Sequence, residues 1–494
     1  MSAPADETLY GISCFGHDAG LAVVRGDQIV FAAHAERYSG IKNDAFLNEA
    51  LIDDALRVAG PPERIVFHER PWRTRVRHAW SGQWRAAFSP SPITHIRSFR
   101  TFADVPLATV GHHEAHAAGG LFTAPFDEAA VVVVDGIGEW DTVSVWHAHN
   151  GRLKRIFAQH YPHSLGLFYA AFTQRCGLKP NEEESILMAM AALGRPTHRD
   201  AIELEFVRLA RAPHFRLKRN LHRGLGAWRP DWTEPETIAA SVQAIAEDVL
   251  LGLMAWVAQT VPSRNLVFSG GLALNCVVNE KLCRSSLFER IWIMPNPGDA
   301  GNALGAALAF GKRRVHWTGP YLGHDLARRP ALDGAIAALL ERGVVGLAHG
   351  RAEYGPRALG NRSLLADPRD LQIKERVNQI KRREPFRPFA PVVVAELADE
   401  YFDLPQPSSP YMQWTARCRF PERFPGICHV DGSSRVQTVD ASQNPSLHRL
   451  LQAFHARTGC PMLLNTSLNV KGKPFVNNRG DAQAFERETG IEVF

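Results

Sequence analysis

The chain has 494 residues, 56 of them basic against 51 acidic for a formal charge of +5, with 45% hydrophobic and 22% charged positions. That length exceeds one ordinary core and predicts two or three domains, and so small a charge gives no reason to expect a nucleic-acid partner. No apolar run approaches the length that crosses a bilayer, and the seven cysteines include no C-x-x-C pair, which argues against a disulfide framework and a zinc ribbon.

The first residues, MSAPADETLYG, are acidic where a secretory signal needs basic and then apolar positions, so the expected location is cytoplasmic, with no membrane partner. Two strands follow, Leu9 to Phe15 and Leu21 to Val24, joined by the glycine turn Gly16-His17-Asp18-Ala19-Gly20. Arg25-Gly26-Asp27 turns the chain into a third strand over 28–33. Residues 64–100 hold Arg64, Arg70, Arg73, Arg75, Arg77, Arg85, Arg97 and Arg100 with three tryptophans. Such a mix suits nucleic-acid stacking or, more simply, the solvated face of an inserted helical region.

His112-His113-Glu114-Ala115-His116 then places two imidazoles four residues apart, on one helix face, where both can reach one transition metal. Glu114 is at the wrong offset for the base of a zinc-protease motif. A second copy of the strand–turn–strand pattern begins near residue 129. Ala129 to Val134 runs into Asp135-Gly136-Ile137-Gly138, and Thr142 to Trp146 leads through His149-Asn150-Gly151 to Leu153–Phe157. The repetition suggests a duplicated α/β core. Residues 234–262 read as helix, and 265–268 as a strand entering Ser269-Gly270-Gly271 and a helix. Pro297-Gly298-Asp299-Ala300-Gly301-Asn302 opens a helix of small residues. The three glycine turns, carrying Asp135, Gly136, Gly138, Gly270, Gly271 and Asn275, together favour an ATP cleft of the actin/hexokinase/Hsp70-like kind.

A linker is expected at 312–330. Beyond it an amphipathic helix, Asp333 to Arg342, and a strand, Val344 to Ala348, precede a loop-rich, arginine-dense second domain. Its strings Glu353 to Arg362 and Lys381 to Pro391 contain only Glu353 and Glu384 as acids, so they favour an anion site over ordinary ion pairing. Arg435 and the 465–469 segment add donors.

HHEAHAAGGLFTAPF, VVVVDGIGEWDT, FSGGLALNC, EYGPRALGNRS and REPFRPFAP, followed by RVQTV and LLNTSLN, resemble the O-carbamoyltransferases, the nodulation-factor and antibiotic-tailoring enzymes that include the cephem, novobiocin and tobramycin carbamoyltransferases. The resemblance implies an α/β fold in two parts. Residues 1–318 would form a duplicated actin/hexokinase/Hsp70-like domain resembling the tRNA threonylcarbamoyltransferase, and 335–494 a YrdC-like domain. It implies that the YrdC-like part makes carbamoyl-adenylate from carbamoyl phosphate and ATP, with Mg2+, through Arg357, Lys381, Arg387, Arg435, Ser467 and Asn469. The first part would pass the carbamoyl group to a hydroxyl of a small molecule, a natural product or sugar. There His112, His116 and Asp299 match a two-His-one-carboxylate metal site typical of Fe2+, Gly270, Gly271 and Asn275 belong to the nucleotide cleft, and His17 matches a general base. One departure is Ile186, where the family has a lysine. Transfer of threonylcarbamoyl to tRNA and a non-catalytic ATP-binding regulator of the actin-like class are the alternatives; the acceptor and the oligomeric state are not legible.

Overall fold

The glycine turns and apolar runs of the first 300 residues build two five-stranded sheets of one topology in the computed structural model, which describes residues 6–328 and 330–494. Each sheet starts with three antiparallel strands. These are Thr8–Ser13, Gly20–Arg25 and Gln28–His34 in one, and Glu128–Gly138, Asp141–His149 and Arg152–His160 in the other. Beside the first strand of each lie two parallel strands: Arg64–Phe67 with Leu107–Thr109, and Asn265–Ser269 with Arg290–Trp292. The first strand is thus central and covered on both faces, which explains unbroken apolar runs such as Val131 to Val134 where a half-exposed strand would alternate.

The helices His112–Thr123 and Asn302–Gly311 pack on each other and on the two sheets. Their small residues are required by this approach: a Cβ at Gly305 would lie 2.2 Å from the Ala115 carbonyl oxygen. Helix Pro235–Thr260 is long and apolar enough to cross a bilayer, the only such helix among the described residues, but it is mostly buried within the protein. All seven cysteines are free.

Residues 64–100 give a strand and then helices Pro71–Trp80, Trp84–Ala87 and Pro92–Ser98. The expected solvated face is inverted here. Arg73 and Arg77 turn inward, toward Glu139 and Glu69, while Trp72, Val76 and Trp80 stay exposed.

By internal packing the described chain divides into one unit that runs to Ala35 and from Asn43 to Trp317, and another made of Glu36–Lys42 and Thr318–Phe494. The second is less loop-rich than its sequence suggests. It holds a five-stranded sheet in the order Val344–Ala348, Arg362–Ala366, Met462–Ser467, Ala390–Val394, Gln437–Val439, antiparallel except for its last pair. Helices Leu332–Arg342 and Pro445–Thr458 help to close its apolar core. The sequence announces Val344–Ala348; the other four strands have only three to six residues and are separated by long polar segments, so no periodicity announces them.

Candidate functional site

In the first unit the duplicated turns and the two central helices end at one place. Gly111 precedes the 112–123 helix, and its N–H donates to Glu114 Oε2, which fixes the first turn and sets His112 and His116 one above the other. Asp135 comes from the end of the central strand of one sheet, and Asp299 from the short turn that starts the 302–311 helix. The facing nitrogens and oxygens converge. His112 Nε2 and His116 Nε2 are 3.2 Å apart, and Asp299 Oδ1 is 3.3 Å from each. Asp135 Oδ2 lies 3.4 Å from His112 Nε2 and 4.0 Å from His116 Nε2.

A cation about 2.1 Å from each of four ligands requires them about 3.0–4.2 Å apart, and all these separations fall in that interval. Asp299 Oδ1 is buried without a hydrogen-bond donor, although two imidazoles face it. Two neutral imidazoles and two carboxylates form the donor set of a divalent transition metal, and these residues fit one. Sequence spacing identified His112 and His116 as candidates, and the family resemblance implied Asp299. The sequence assigned Asp135 to a nucleotide turn; the structure adds its carboxylate to this group. The signal available was the carboxylate directly at the end of a central strand.

Charge compensation in this group is strong. Burial works against protonation of His112, but Asp299 and Asp135 outweigh it and hold the imidazole well above its ordinary range. Burial likewise opposes ionisation of Asp299, but His112 and His116 hold its carboxyl well below the usual range. His17, on the equivalent turn of the first sheet, places Nε2 3.5 Å from Asp299 Oδ2 and Nδ1 3.3 Å from Asp18 Oδ2. Its desolvation is outweighed by Asp18 and by the charges of Asp299 and Asp135, which raise it to about 10. With its side chain 44% exposed, His17 marks the side on which the group meets solvent.

The other glycine-turn residues divide. Gly138 is required by the group itself, because a Cβ there would lie 2.1 Å from His112 Cδ2. Gly136 packs at Gly166 behind the group, and its carbonyl accepts from Ser164. Gly270 adopts a φ of +90°, and the Gly271 N–H donates to Asp135 Oδ1 at 2.9 Å, so that amide orients a carboxylate and is not turned to an anion. The expected helix directly after Gly271 is a short 3-10 turn, and the helix proper starts at Cys276. Asn275 caps that helix, while its amide exchanges two hydrogen bonds with Gln243, so its polar atoms are satisfied inside the fold. Ile186 is buried.

The second unit assembles a different group. Lys381, the last residue of helix Ile373–Lys381, is buried and bonds to Ser467 Oγ at 3.2 Å, Asn469 Oδ1 at 2.8 Å and the Asn469 carbonyl at 2.9 Å, and also to the Ser467 carbonyl. Burial, with Arg383 and Arg387 nearby, pushes its ammonium pKa well down. Arg383 is lowered to about 9 by burial and by the charges of Arg387 and Arg435. Lys381, Arg387, Arg435, Ser467 and Asn469 are therefore one neighbourhood, and Arg383 belongs with them although the sequence did not single it out. Glu384 is the local acid, 3.5 Å from Arg387 and paired with Lys471. Arg357 is half-buried on the turn after Glu353. That turn is held by Glu353 Oε1, which accepts the N–H groups of Leu359, Asn361 and Arg362 at 2.7, 2.8 and 3.2 Å. Arg362, in the same string, is no ligand for a free anion: it is fully buried and donates to the carbonyls of His349, Asn361, His324, Gly350 and Asn477.

Residues 93–308 match the carbamoyltransferase N-terminus family pattern, and residues 336–494 the carbamoyltransferase C-terminus pattern. An uncharacterized protein of Synechocystis is 37% identical over 96% of this chain and 93% of its own. Nodulation protein NolNO of Sinorhizobium fredii is 31% identical over 95% of this chain and 76% of its own. The 3'-hydroxymethylcephem-O-carbamoyltransferase of Amycolatopsis lactamdurans is 30% identical over 96% of both. Among solved structures, component A of (R)-2-hydroxyglutaryl-CoA dehydratase from Acidaminococcus fermentans aligns with 61% of this chain and 96% of its own, at 17% identity and a TM-score of 0.38.

Proposed function

Because the chain belongs to the carbamoyltransferase family, we propose that it is an ATP-dependent O-carbamoyltransferase with two centres. The first unit is read as the actin/hexokinase-like transfer domain and the second as a YrdC-like, adenylate-forming domain, both cytoplasmic. The observation that carries the reading is the convergence of His112, His116, Asp135 and Asp299 on one cation-sized space.

In the second centre, Arg387 and Arg435, with Arg357, bind the phosphates of ATP and carbamoyl phosphate, and the buried Lys381 holds Ser467 and Asn469 in place beside them. Surplus positive charge in a partly buried setting favours phosphate there. Water takes the phosphoryl group of carbamoyl phosphate as inorganic phosphate, an oxygen of the carbamate so freed attacks the α-phosphorus of ATP, and pyrophosphate leaves with Mg2+. The product is carbamoyl-adenylate.

In the first centre, His112, His116, Asp135 and Asp299 would hold a divalent metal, Fe2+ by resemblance, whose charge would polarise a carbonyl or phosphate oxygen. The open space beside Gly136, where a Cβ would meet nothing within 4 Å, lets the adenylate approach the backbone. The acceptor hydroxyl attacks the carbamoyl carbon, AMP departs, and His17 takes the hydroxyl proton on Nε2. Positive charge balancing Asp299 and Asp135 lowers His17 toward the neutral form this step needs. The acceptor is a small hydroxylated molecule, by analogy with the named cephem enzyme.

The test is exchange of labelled pyrophosphate into ATP in the presence of carbamoyl phosphate, together with mass spectrometry of hydroxylated metabolites for the gain of one carbamoyl group. Absence of exchange by folded protein overturns the adenylate mechanism.

A further inference from the structure

The helices between strands Arg64–Phe67 and Leu107–Thr109 carry a surface that the transfer reaction does not use. Trp72, Val76, Trp80, Trp84 and Phe88 recur every fourth residue, and they are 65, 52, 65, 59 and 83% exposed. On the 71–80 helix that spacing puts the first three on one face. Trp72 and Val76 stand exposed there, and Trp80 meets Trp140 and Tyr161 with one side of its ring, centroids 5.6 and 6.3 Å apart, while more than half of it stays in solvent. A helix at the surface of a folded unit ordinarily buries its apolar face.

The inward face explains how the inversion is held. Arg73 pairs with Glu139 at 2.9 Å, Arg70 with Glu114 at 3.2 Å, and the Arg70 N–H donates to Glu139 at 2.7 Å. Arg77 is buried beside Glu69. Arg97 is spent on the carbonyls of Phe102, Ala103 and Val105. Outward there remain indoles, a phenyl ring and a valine, flanked by the exposed Arg75, Arg85 and Arg100, and no Asp or Glu occurs from residue 70 to residue 103.

Three candidate occupants fit this surface poorly. A nucleic acid needs its arginines outward, and here most are consumed inside. A second copy meeting the same patch through a two-fold axis would face cation with cation and no acid. A small molecule is held in a concavity, and side chains more than half exposed do not line one. Indoles and phenyl rings projecting from a helix, with cations at the flanks and no acids, match the boundary of an anionic bilayer, where tryptophan concentrates.

We propose that the Trp72–Phe88 surface docks this protein reversibly on anionic membranes, the rings entering the headgroup boundary and Arg75 and Arg85 pairing with lipid phosphate. The proposal is independent of the reading of the catalytic centres.

The full chain should be sedimented with vesicles of phosphatidylcholine alone and with vesicles containing one quarter phosphatidylglycerol, at low and high salt. The expected result is binding to the anionic vesicles, a blue shift of tryptophan emission, and weakening by salt. The combined Trp72→Ser, Trp84→Ser and Phe88→Ser variant should bind about tenfold less tightly or worse, with an unchanged circular dichroism spectrum and unchanged pyrophosphate exchange. No binding by the wild type at low salt overturns the proposal, as does equal binding by the variant or equal binding to neutral vesicles. A wild-type dimer that the substitutions dissociate overturns it in favour of a second copy.

Discussion

In the first unit two imidazoles and two carboxylates face one another with donor atoms 3.2–4.0 Å apart, whereas in the second unit Lys381, Arg383, Arg387 and Arg435 gather around Ser467 and Asn469 with Glu384 as the local acid. The first group carries enough negative charge to stabilise the protonated His112 imidazole, and its inner oxygen Asp299 Oδ1 still has no donor. The second has like charges gathered in a buried place, where burial first and then mutual repulsion lower the proton affinity of Lys381 and Arg383. On the proposed function, a cation would complete the first arrangement and an anion the second. Substitutions should therefore separate two partial reactions, and the effects below are arranged from the largest downward.

Replacing His112 or Asp299 by alanine removes one of the four donors of the group. Transfer of the carbamoyl group should fall by about 10^3-fold or more, and stripping with a chelator should do the same. Pyrophosphate exchange, measured on the same samples, should persist. Loss of exchange in a folded His112→Ala protein would mean that the centres are not separate. Arg387→Ala makes the opposite cut: exchange should fall by about 10^2-fold or more, while transfer from supplied carbamoyl-adenylate continues. Retained exchange in that variant would place the anion elsewhere.

The two centres also differ in how far the sequence revealed them. His112 and His116 were legible because both ligands lie in one short helical segment, where spacing alone fixes which side chains share a face. The strand–turn–strand repeat was legible for the same reason, since its apolar runs and turns are contiguous. Asp135 was visible as a residue but not as a member of the group, because its proximity to His112 depends on how the 112–123 helix packs on the 128–138 strand, which no local spacing shows. Asn275 and Gly271 show the converse: the glycine turn suggested free N–H groups, and in the fold the Asn275 side-chain amide donates to Gln243 and the Gly271 N–H to Asp135. In the second unit, arginine density suggested anion binding without saying which arginines the core would consume.

Arg362 makes that last distinction measurable. It shares a string with Arg357, yet five backbone carbonyls depend on its guanidinium. Arg362→Met should leave them unpaired and cost roughly 3–5 kcal/mol in urea unfolding. Arg357→Met removes a half-buried residue from the proposed phosphate site, so it should alter ATP or carbamoyl phosphate affinity and change stability little. Equal effects on stability would erase the distinction between a scaffold arginine and a ligand arginine.

The smallest expected effect contrasts two buried histidines. His112 sits among carboxylates and is pushed up; His349, in the second unit, is lowered from 6.5 to about 4 by burial and then by the Arg362 charge. The unfolded chain takes up a proton at His349 as pH drops below about 6.5, but the folded chain does not until about 4, so protonation favours the unfolded state throughout that window. The contribution is fully present above pH 6.5 and declines by up to about 1.4 kcal/mol per pH unit between 6.5 and 4, or about 3 kcal/mol in all. Urea unfolding followed from pH 7 to pH 4.5 should show this slope, and His349→Asn should flatten it by that amount. An unchanged slope in the variant would mean that guanidinium charge and burial do not govern His349, and the opposition between the cation-seeking and anion-seeking regions would then be confined to their ligand residues.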